Sequence, residues 1–198
     1  MIYKKSWKYI IIKDNYLFRI KSLKNFSIVR KGKIGGYIGG YHNLSQKGNC
    51  WIYDGAVVKG RAKVSENAII SNYAVVRDFA QISGNAQVSE GTTVAGNAIV
   101  SDNVTISNFA MIYDNAVITD NAIIKGSAKV YENAKVSGNA HVYDNAEICG
   151  TAHICGNSKV SGKAQVYGNA IVKENAKVSG NAIVRKDIIV RGETYLSD

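Results

Sequence analysis

The sequence contains no proline, only three cysteines and no apolar run long enough to cross a bilayer. The absence of proline suits a fold in which nearly every backbone amide donates a hydrogen bond to a neighbouring strand. The apolar stretch 9–12 is too short for the core of a signal peptide. Cys50, Cys149 and Cys155 show no disulfide spacing, and an odd number of unpaired thiols indicates a reducing, cytoplasmic compartment.

One short pattern recurs every six residues from Trp51 to Arg191, without insertion or deletion. One position of the pattern is Ile or Val at all 24 repeats from Ile52 to Val190, and the position two residues earlier is Ala at 19 of 22 repeats. A helical period of 3.6 residues cannot keep a strict six-residue repeat on one face, so the pattern excludes a helical bundle. Hexapeptide repeats are instead typical of parallel β-helices.

The repeat therefore predicts an all-β fold, a parallel β-helix. Ala and the next Ile or Val lie two residues apart, so in an extended segment both side chains point to the same side and form the interior. Gly, Asp, Glu or Asn occupies the first turn position, and most of these residues tolerate strained turn geometry. Three segments would form a triangular coil of 18 residues, and the repeat is long enough for about eight coils.

Asparagine recurs at one turn position with a spacing of 18 residues. The members are Asn67, Asn85, Asn103, Asn121, Asn139, Asn157 and Asn175. Stacked Asn side chains can hydrogen-bond to one another along a β-structure. We therefore predict an Asn ladder along one corner of the coil, whereas the other two corners carry mixed residues.

The positive charge is concentrated at the N-terminus. Residues 1–33 contain ten Lys or Arg and one acid, whereas residues 34–198 contain fifteen Lys or Arg and fourteen acids. Residues 6–20 read as a β-hairpin, and an open solenoid end needs a cap. We predict a basic N-terminal cap over residues 1–42 and a β-helix over residues 43–198. The cap would cover the apolar outward residues of the first coils, which are Trp51, Val57, Ile69 and Val75.

The repeat resembles the hexapeptide-repeat superfamily, whose members form left-handed parallel β-helices. More narrowly, the segments 35–38, 43–45 and 48–51, followed by Asn-Ala repeats, resemble solenoid proteins often carried by phages and prophages, some of which bear a transferase label. The resemblance implies the left-handed sense of winding, since parallel crossovers in general favour the right hand. It also implies trimeric assembly, which is common in the superfamily.

Two groups of side chains are candidates for contact with a partner. The basic group could bind an acidic protein surface or a nucleic acid, or could simply be the solvated face of a cap. Its members are Lys4, Lys5, Lys8, Arg19, Lys21, Lys24, Arg30, Lys31 and Lys33. The aromatic group, which comprises Tyr113, Tyr131 and Tyr167, shares one corner and could dock a planar partner or form a self-stacked ladder.

Outward apolar residues predict self-association, with a trimer favoured and a dimer as the alternative. The candidate interface residues are Ile99, Met111, Val117, Ile123, Ile171 and Ile189. A membrane partner is not expected.

An enzymatic function is the alternative hypothesis, because many members of the superfamily are acyltransferases whose catalytic His lies near a loop that projects from the rod. Here the repeat is unbroken, and only His42 is a weak candidate for a catalytic base. His141 and His153 lie twelve residues apart, on different faces of an 18-residue coil, so no metal site is expected. No cofactor is expected either. The sequence therefore favours a non-catalytic protein that binds a macromolecule, most plausibly a protein, and the resemblance suggests an inhibitor of a host defence system.

Overall fold

The computed structural model describes residues 7–198, and nearly all of their regular structure is β-strand. Three longer strands come first: β1 (Tyr9–Asp14), β2 (Leu17–Ser22) and β3 (Ile34–Ile38). A single 3-10 turn, Tyr41–Asn43, precedes the repeats. From residue 51 onward the strands are two residues long and begin every six residues.

The short strands, in chain order, are β4 (Trp51–Ile52), β5 (Val57–Val58), β6 (Lys63–Val64), β7 (Ile69–Ile70), β8 (Val75–Val76), β9 (Gln81–Ile82), β10 (Gln87–Val88), β11 (Thr93–Val94), β12 (Ile99–Val100), β13 (Thr105–Ile106), β14 (Met111–Ile112), β15 (Val117–Ile118), β16 (Ile123–Ile124), β17 (Lys129–Val130), β18 (Lys135–Val136), β19 (His141–Val142), β20 (Glu147–Ile148), β21 (His153–Ile154), β22 (Lys159–Val160), β23 (Gln165–Val166), β24 (Ile171–Val172), β25 (Lys177–Val178), β26 (Ile183–Val184), β27 (Ile189–Val190) and β28 (Tyr195–Leu196).

These strands form three sheets, one for each side of the coil. The first sheet has 11 strands, from the hairpin through β5 to β26; the second has nine, from β4 to β28; the third has eight, from β6 to β27. Within the rod each strand pairs in parallel with the strand 18 residues away, as Gln87 does with Thr105. The predicted parallel β-solenoid with 18-residue turns is confirmed. It has about nine turns instead of eight, because β28 adds a rung beyond Arg191. The left-handed sense stays a prediction.

The interior consists of the repeated small and branched residues. All 24 Ile or Val side chains from Ile52 to Val190 are buried, and so are the residues at the Ala positions. Backbone amides join successive rungs, so that Val57 N donates to Ala74 O at 2.9 Å and Lys63 N donates to Ala80 O at the same distance. Because the apolar columns and the interstrand hydrogen bonds both repeat every 18 residues, each rung supports the next.

The cap continues the first sheet. Strands β1 and β2 form the predicted antiparallel hairpin, β2 pairs with β3, and β3 pairs in parallel with β5. Gly36 is needed where β3 crosses the rod, since a Cβ atom there would lie 2.4 Å from the Tyr53 carbonyl oxygen. The cap covers Trp51, as predicted: its ring makes edge contacts with Tyr9 and Phe26, with centroid separations of 6.4 and 5.5 Å.

The other three outward residues of the first coils, Val57, Ile69 and Val75, are half-buried. Because β3 belongs to the same sheet as the rod, no break in hydrogen bonding separates cap from rod. The division into residues 1–42 and 43–198 stays a prediction.

The predicted Asn ladder is present along one corner. From Asn67 to Asn175 each side-chain amide donates to the Asn carbonyl oxygen one rung further, at 2.9–3.2 Å. The ladder extends beyond the predicted range to Asn49 at one end and to Glu193 at the other. A second, shorter ladder joins Asn97, Asn115 and Asn133 at another corner, which the sequence analysis had classed as mixed.

Carboxylates at the turns also bridge rungs, a role that the sequence analysis missed. Asp120, for example, occupies the left-handed region with a φ of 62°, and its Oδ2 accepts a hydrogen bond from Gly138 N at 2.8 Å. The same carboxylate-to-amide bond occurs at Glu66, Asp78, Asp102, Asp114, Glu132, Asp144 and Glu174. The available signal was the spacing, because each of these acids is followed 18 residues later by Gly or by another acid.

Replacement of Asn121 by Ala tests the contribution of the ladder. The change removes the bonds to Asn103 and Asn139, both of them exposed, so we expect a loss of about 1 kcal/mol in the free energy of unfolding. For a chain of this size that corresponds to a thermal midpoint lower by roughly 2–4 °C. Asn145→Ala, at the equivalent turn position of a different corner, is the control. An equal loss in both variants would show that the ladder adds nothing to stability.

Candidate binding surfaces

The basic loop, residues 23–33, is fastened to the cap by backbone hydrogen bonds. Ser22 N donates to Lys33 O and Gly32 N donates to Ser22 O, each at 2.9 Å, and a short bridge joins Phe26 to Val29. Asn25 Oδ1 accepts a hydrogen bond from Lys31 N at 2.8 Å. The loop therefore has a defined shape, although it protrudes from the sheet.

Four cationic side chains of the basic loop are exposed: Lys24, Arg30, Lys31 and Lys33. The ion pairs among residues 7–198 are Arg19–Asp54, Arg77–Asp78 and Lys129–Glu147, and none of them involves this loop. The charges of these four side chains are therefore available to an external anion.

The other cations of the predicted basic group are placed differently. Lys8 is buried at 1% exposure, and its Nζ lies 2.9 Å from Cys50 O and 3.2 Å from Cys50 Sγ. Burial lowers the pKa of Lys8. Lys8 is thus part of the interior of the cap and is not accessible to a partner, a fact hidden from the sequence because charged residues are seldom buried.

Arg19 is also occupied within the cap. It donates to Gly35 O, forms an ion pair with Asp54 at 2.6 Å and lies over the Tyr37 ring at 5.1 Å. Lys21 is half-buried. Lys4 and Lys5 lie outside the described residues.

The tyrosine column occupies the corner that follows the first sheet. The rings of Tyr113 and Tyr131 are stacked, with a centroid separation of 4.9 Å and an interplanar angle of 7°. The Tyr131 phenol forms a hydrogen bond with Cys149, and this bond together with burial raises the pKa of Tyr131. Tyr167 lies one rung beyond Cys149, so Tyr113 and Tyr131 are the pair that the structure brings into contact. Whether the column binds a partner stays a prediction.

The predicted interface residues are distributed over all three sheets. Ile99 and Val117 are register partners on the third sheet, as are Ile171 and Ile189, whereas Met111 lies on the first sheet and Ile123 on the second. The two third-sheet pairs are separated by Lys135 and His153, which are themselves register partners. Ile99 and Ile189 are exposed, and Val117 and Ile171 are half-buried. The six residues therefore do not form one surface, and the four on the third sheet are the coherent subset.

The three histidines lie far apart in the fold. The Nε2 atom of His42 is 2.8 Å from Gly60 O, and the Nε2 atom of His153 is 2.9 Å from Ser137 Oγ. His141 belongs to β19 of the second sheet and His153 to β21 of the third, so the prediction that they lie on different faces is confirmed. Within residues 7–198, no three side chains of His, Cys, Asp or Glu converge as a metal site would require.

The half-buried histidines predict sensitivity to acid. Burial, followed by the charge of nearby lysines, lowers the pKa of both His141 and His153 in the folded protein. Below the ordinary pKa of about 6.5 the unfolded chain therefore takes up protons more readily, so that stability falls as the pH decreases through this range.

The double variant His141→Gln, His153→Gln should lose less stability between neutral pH and about pH 5 than the unaltered protein does. Chemical unfolding at a series of pH values measures the difference. His42→Gln, at an exposed position, is the control. An unchanged pH dependence in the double variant would exclude these two residues as its source.

Comparison with known proteins identifies the repeat but not an activity. Residues 80–96 and 164–178 match the family model described as YdcK Beta solenoid repeat. No curated protein matches the sequence. Residues 7–198 contain no helix that could serve as a membrane span. The matched segments and the three stacked sheets together make this chain a β-solenoid repeat protein.

Proposed function

We propose that this solenoid is a non-catalytic binding protein that presents a rigid surface to an acidic protein partner. The observation that carries the proposal is the set of four exposed cations on the basic loop, none of which belongs to an ion pair among residues 7–198. A basic end on a nearly neutral rod would attract and orient an acidic partner.

The rigidity of the site supports this proposal. The basic loop is tied to β2, and β2 belongs to the sheet that continues into the rod. The four side chains therefore start from fixed backbone positions, which limits the entropy that binding would cost. A partner with a matching arrangement of carboxylates would gain several charge-assisted hydrogen bonds.

A protein is favoured over a nucleic acid because of the kind of cation on the loop. Three of the four exposed cations are Lys, and Arg30 is the single Arg. Lys acts as a point charge, whereas Arg is the residue that most often reads base edges by paired hydrogen bonds. The resemblance to phage-borne members of the hexapeptide-repeat superfamily gives the proposal its specific form, an inhibitor that binds a host defence protein in the cytoplasm.

Self-association through the third sheet is a further part of the proposal. Ile99 and Val117 form one apolar pair on that sheet, and Ile171 and Ile189 form another. A trimer is the favoured assembly and a dimer the alternative. Burial of these side chains between copies would remove apolar surface from water.

Reversal of the loop charges tests the binding function. The variant with Lys24, Arg30, Lys31 and Lys33 changed to Glu should lose its partner in affinity capture from host-cell lysate. Because charge contacts are screened by salt, capture by the unaltered protein should also weaken as the ionic strength rises.

The matched control reverses four exposed lysines of the rod, which are Lys63, Lys135, Lys159 and Lys177. A partner that is retained by the control and lost by the loop variant supports the proposal. Undiminished capture by the loop variant would refute it, and loss of the captured material after nuclease treatment would assign the loop to nucleic acid.

A charge placed on the third sheet tests self-association. Ile99→Lys should lower the mass measured by light scattering after size exclusion, because a buried unpaired ammonium strongly disfavours an interface. Gln87→Lys, on the second sheet, is the control. A monomeric mass for the unaltered protein at high concentration would contradict the assembly.

A further inference from the structure

The tyrosine column is interrupted by a single small residue. At 18-residue steps this corner carries Arg77, Ala95, Tyr113 and Tyr131, so that Ala95 occupies the rung between a guanidinium and the stacked ring pair. An open depression of about 580 Å³ lies at this position. Its lining includes Arg77, Thr93, Ala95, Met111, Tyr113 and Asp114. The volume is within the range of sites that bind small organic ligands.

The spacing of the rungs sets the thickness of the ligand that fits. Tyr131 covers one face of the Tyr113 ring at 4.9 Å, and the rung of Ala95 lies on the other side. Adjacent rungs are about 4.8 Å apart, so Tyr113 and Arg77 are separated by roughly 9.6 Å along the rod. A planar ring at the level of Ala95 would lie about 4.8 Å from each, close to the separation already observed between the two tyrosines.

The rim of the depression carries hydrogen-bond acceptors. Asp78 Oδ2 accepts hydrogen bonds from Arg77 Nη1 and from Gly96 N, at 2.8 and 3.2 Å. Asp114 Oδ2 accepts one from Glu132 N at 3.2 Å. A carboxylate offers about four acceptor positions on two oxygens, so both aspartates keep capacity for donors on a ligand.

The charges around the depression balance. Arg77 and Lys129 are opposed by Asp78 and Asp114, and Lys129 is also paired with Glu147 at 2.7 Å. A phosphate or other free anion therefore gains little here. The site instead favours a neutral flat ring with N–H groups at its edge, since rings of that kind stack on aromatic side chains and on Arg planes.

We propose that a planar heterocycle of the nucleobase class, bearing N–H donors, binds over Ala95 between Tyr113 and Arg77. This site goes beyond the proposed function and does not depend on the basic loop. The ring would continue the aromatic stack, and its donors would reach the carboxylates of Asp78 and Asp114. The ligand would thereby supply the one rung that the protein leaves without a large side chain.

Adenosine is the probe, and isothermal titration is the measurement. Ala95→Tyr should reduce its affinity at least tenfold, because the new ring would fill the rung. The same corner already carries Tyr at 113, 131 and 167, so the backbone accepts this side chain. The variant should therefore keep or raise the thermal midpoint, which separates a filled site from a damaged fold.

Two further variants sharpen the result. Tyr113→Leu should weaken adenosine at least fivefold by removing the stacking face. Arg185→Tyr, in the same column but distant from the depression, should bind adenosine as the unaltered protein does. Absence of adenosine binding at millimolar concentration, or undiminished binding by Ala95→Tyr, overturns the proposal.

The chemical class and the source of the ring are tested separately. Benzyl alcohol, which has a ring of similar thickness but no N–H donor, should bind at least fivefold more weakly than adenosine; equal binding overturns the assignment to a nucleobase-like ring. A short single-stranded oligoadenylate distinguishes the source. Affinity at least tenfold above that of adenosine, and lowered by salt, indicates a base carried by a single strand, whereas similar affinity indicates a free nucleoside.

Discussion

Pairing between residues 18 apart is the constraint on which every other feature of this protein depends. Each short strand is only two residues long, so no strand is stable by itself, and its hydrogen bonds are made with the rungs on either side. This pairing places identical backbone positions one above another. Side chains at equivalent positions therefore form columns, and whatever chemistry a position carries is repeated along the rod. The apolar interior, the Asn ladder and the carboxylate-to-amide bonds are three results of that single geometric rule.

Surface chemistry arises where a column is broken. The Asn ladder is continuous and satisfies its own amides, so it leaves little for a ligand to bind. The tyrosine column is interrupted at Ala95, and a depression lies there. The basic loop is the corresponding irregularity of the cap, since it lies outside the repeat and carries exposed cations without ion pairs among residues 7–198. Both proposed sites thus lie at departures from the period.

The sequence predicted those features that depend on spacing alone. The 18-residue coil, the buried Ile and Val columns and the ladder from Asn67 to Asn175 all follow from counting, because the fold converts sequence distance directly into position. The burial of Lys8 could not be predicted, because it depends on how a non-repeating segment folds back on Cys50. The basic group predicted from composition was divided for the same reason, with Arg19 bound within the cap and Lys24 exposed. Periodicity predicts positions within the rod, whereas contacts between the cap and the rod require the coordinates.

The repeated interior has a consequence for how the chain finds its register. Because every turn offers the same column of Ile or Val, a slip of one whole turn would leave almost all core contacts unchanged and would be only weakly opposed by the hydrophobic effect. The contacts that occur once must select the correct pairing. Lys8 against Cys50 and Trp51 between Tyr9 and Phe26 are contacts of this kind, since no other turn offers partners for them. The cap thus acts as the reference point from which the rungs are counted, and a rod shortened by one complete turn would retain the same start.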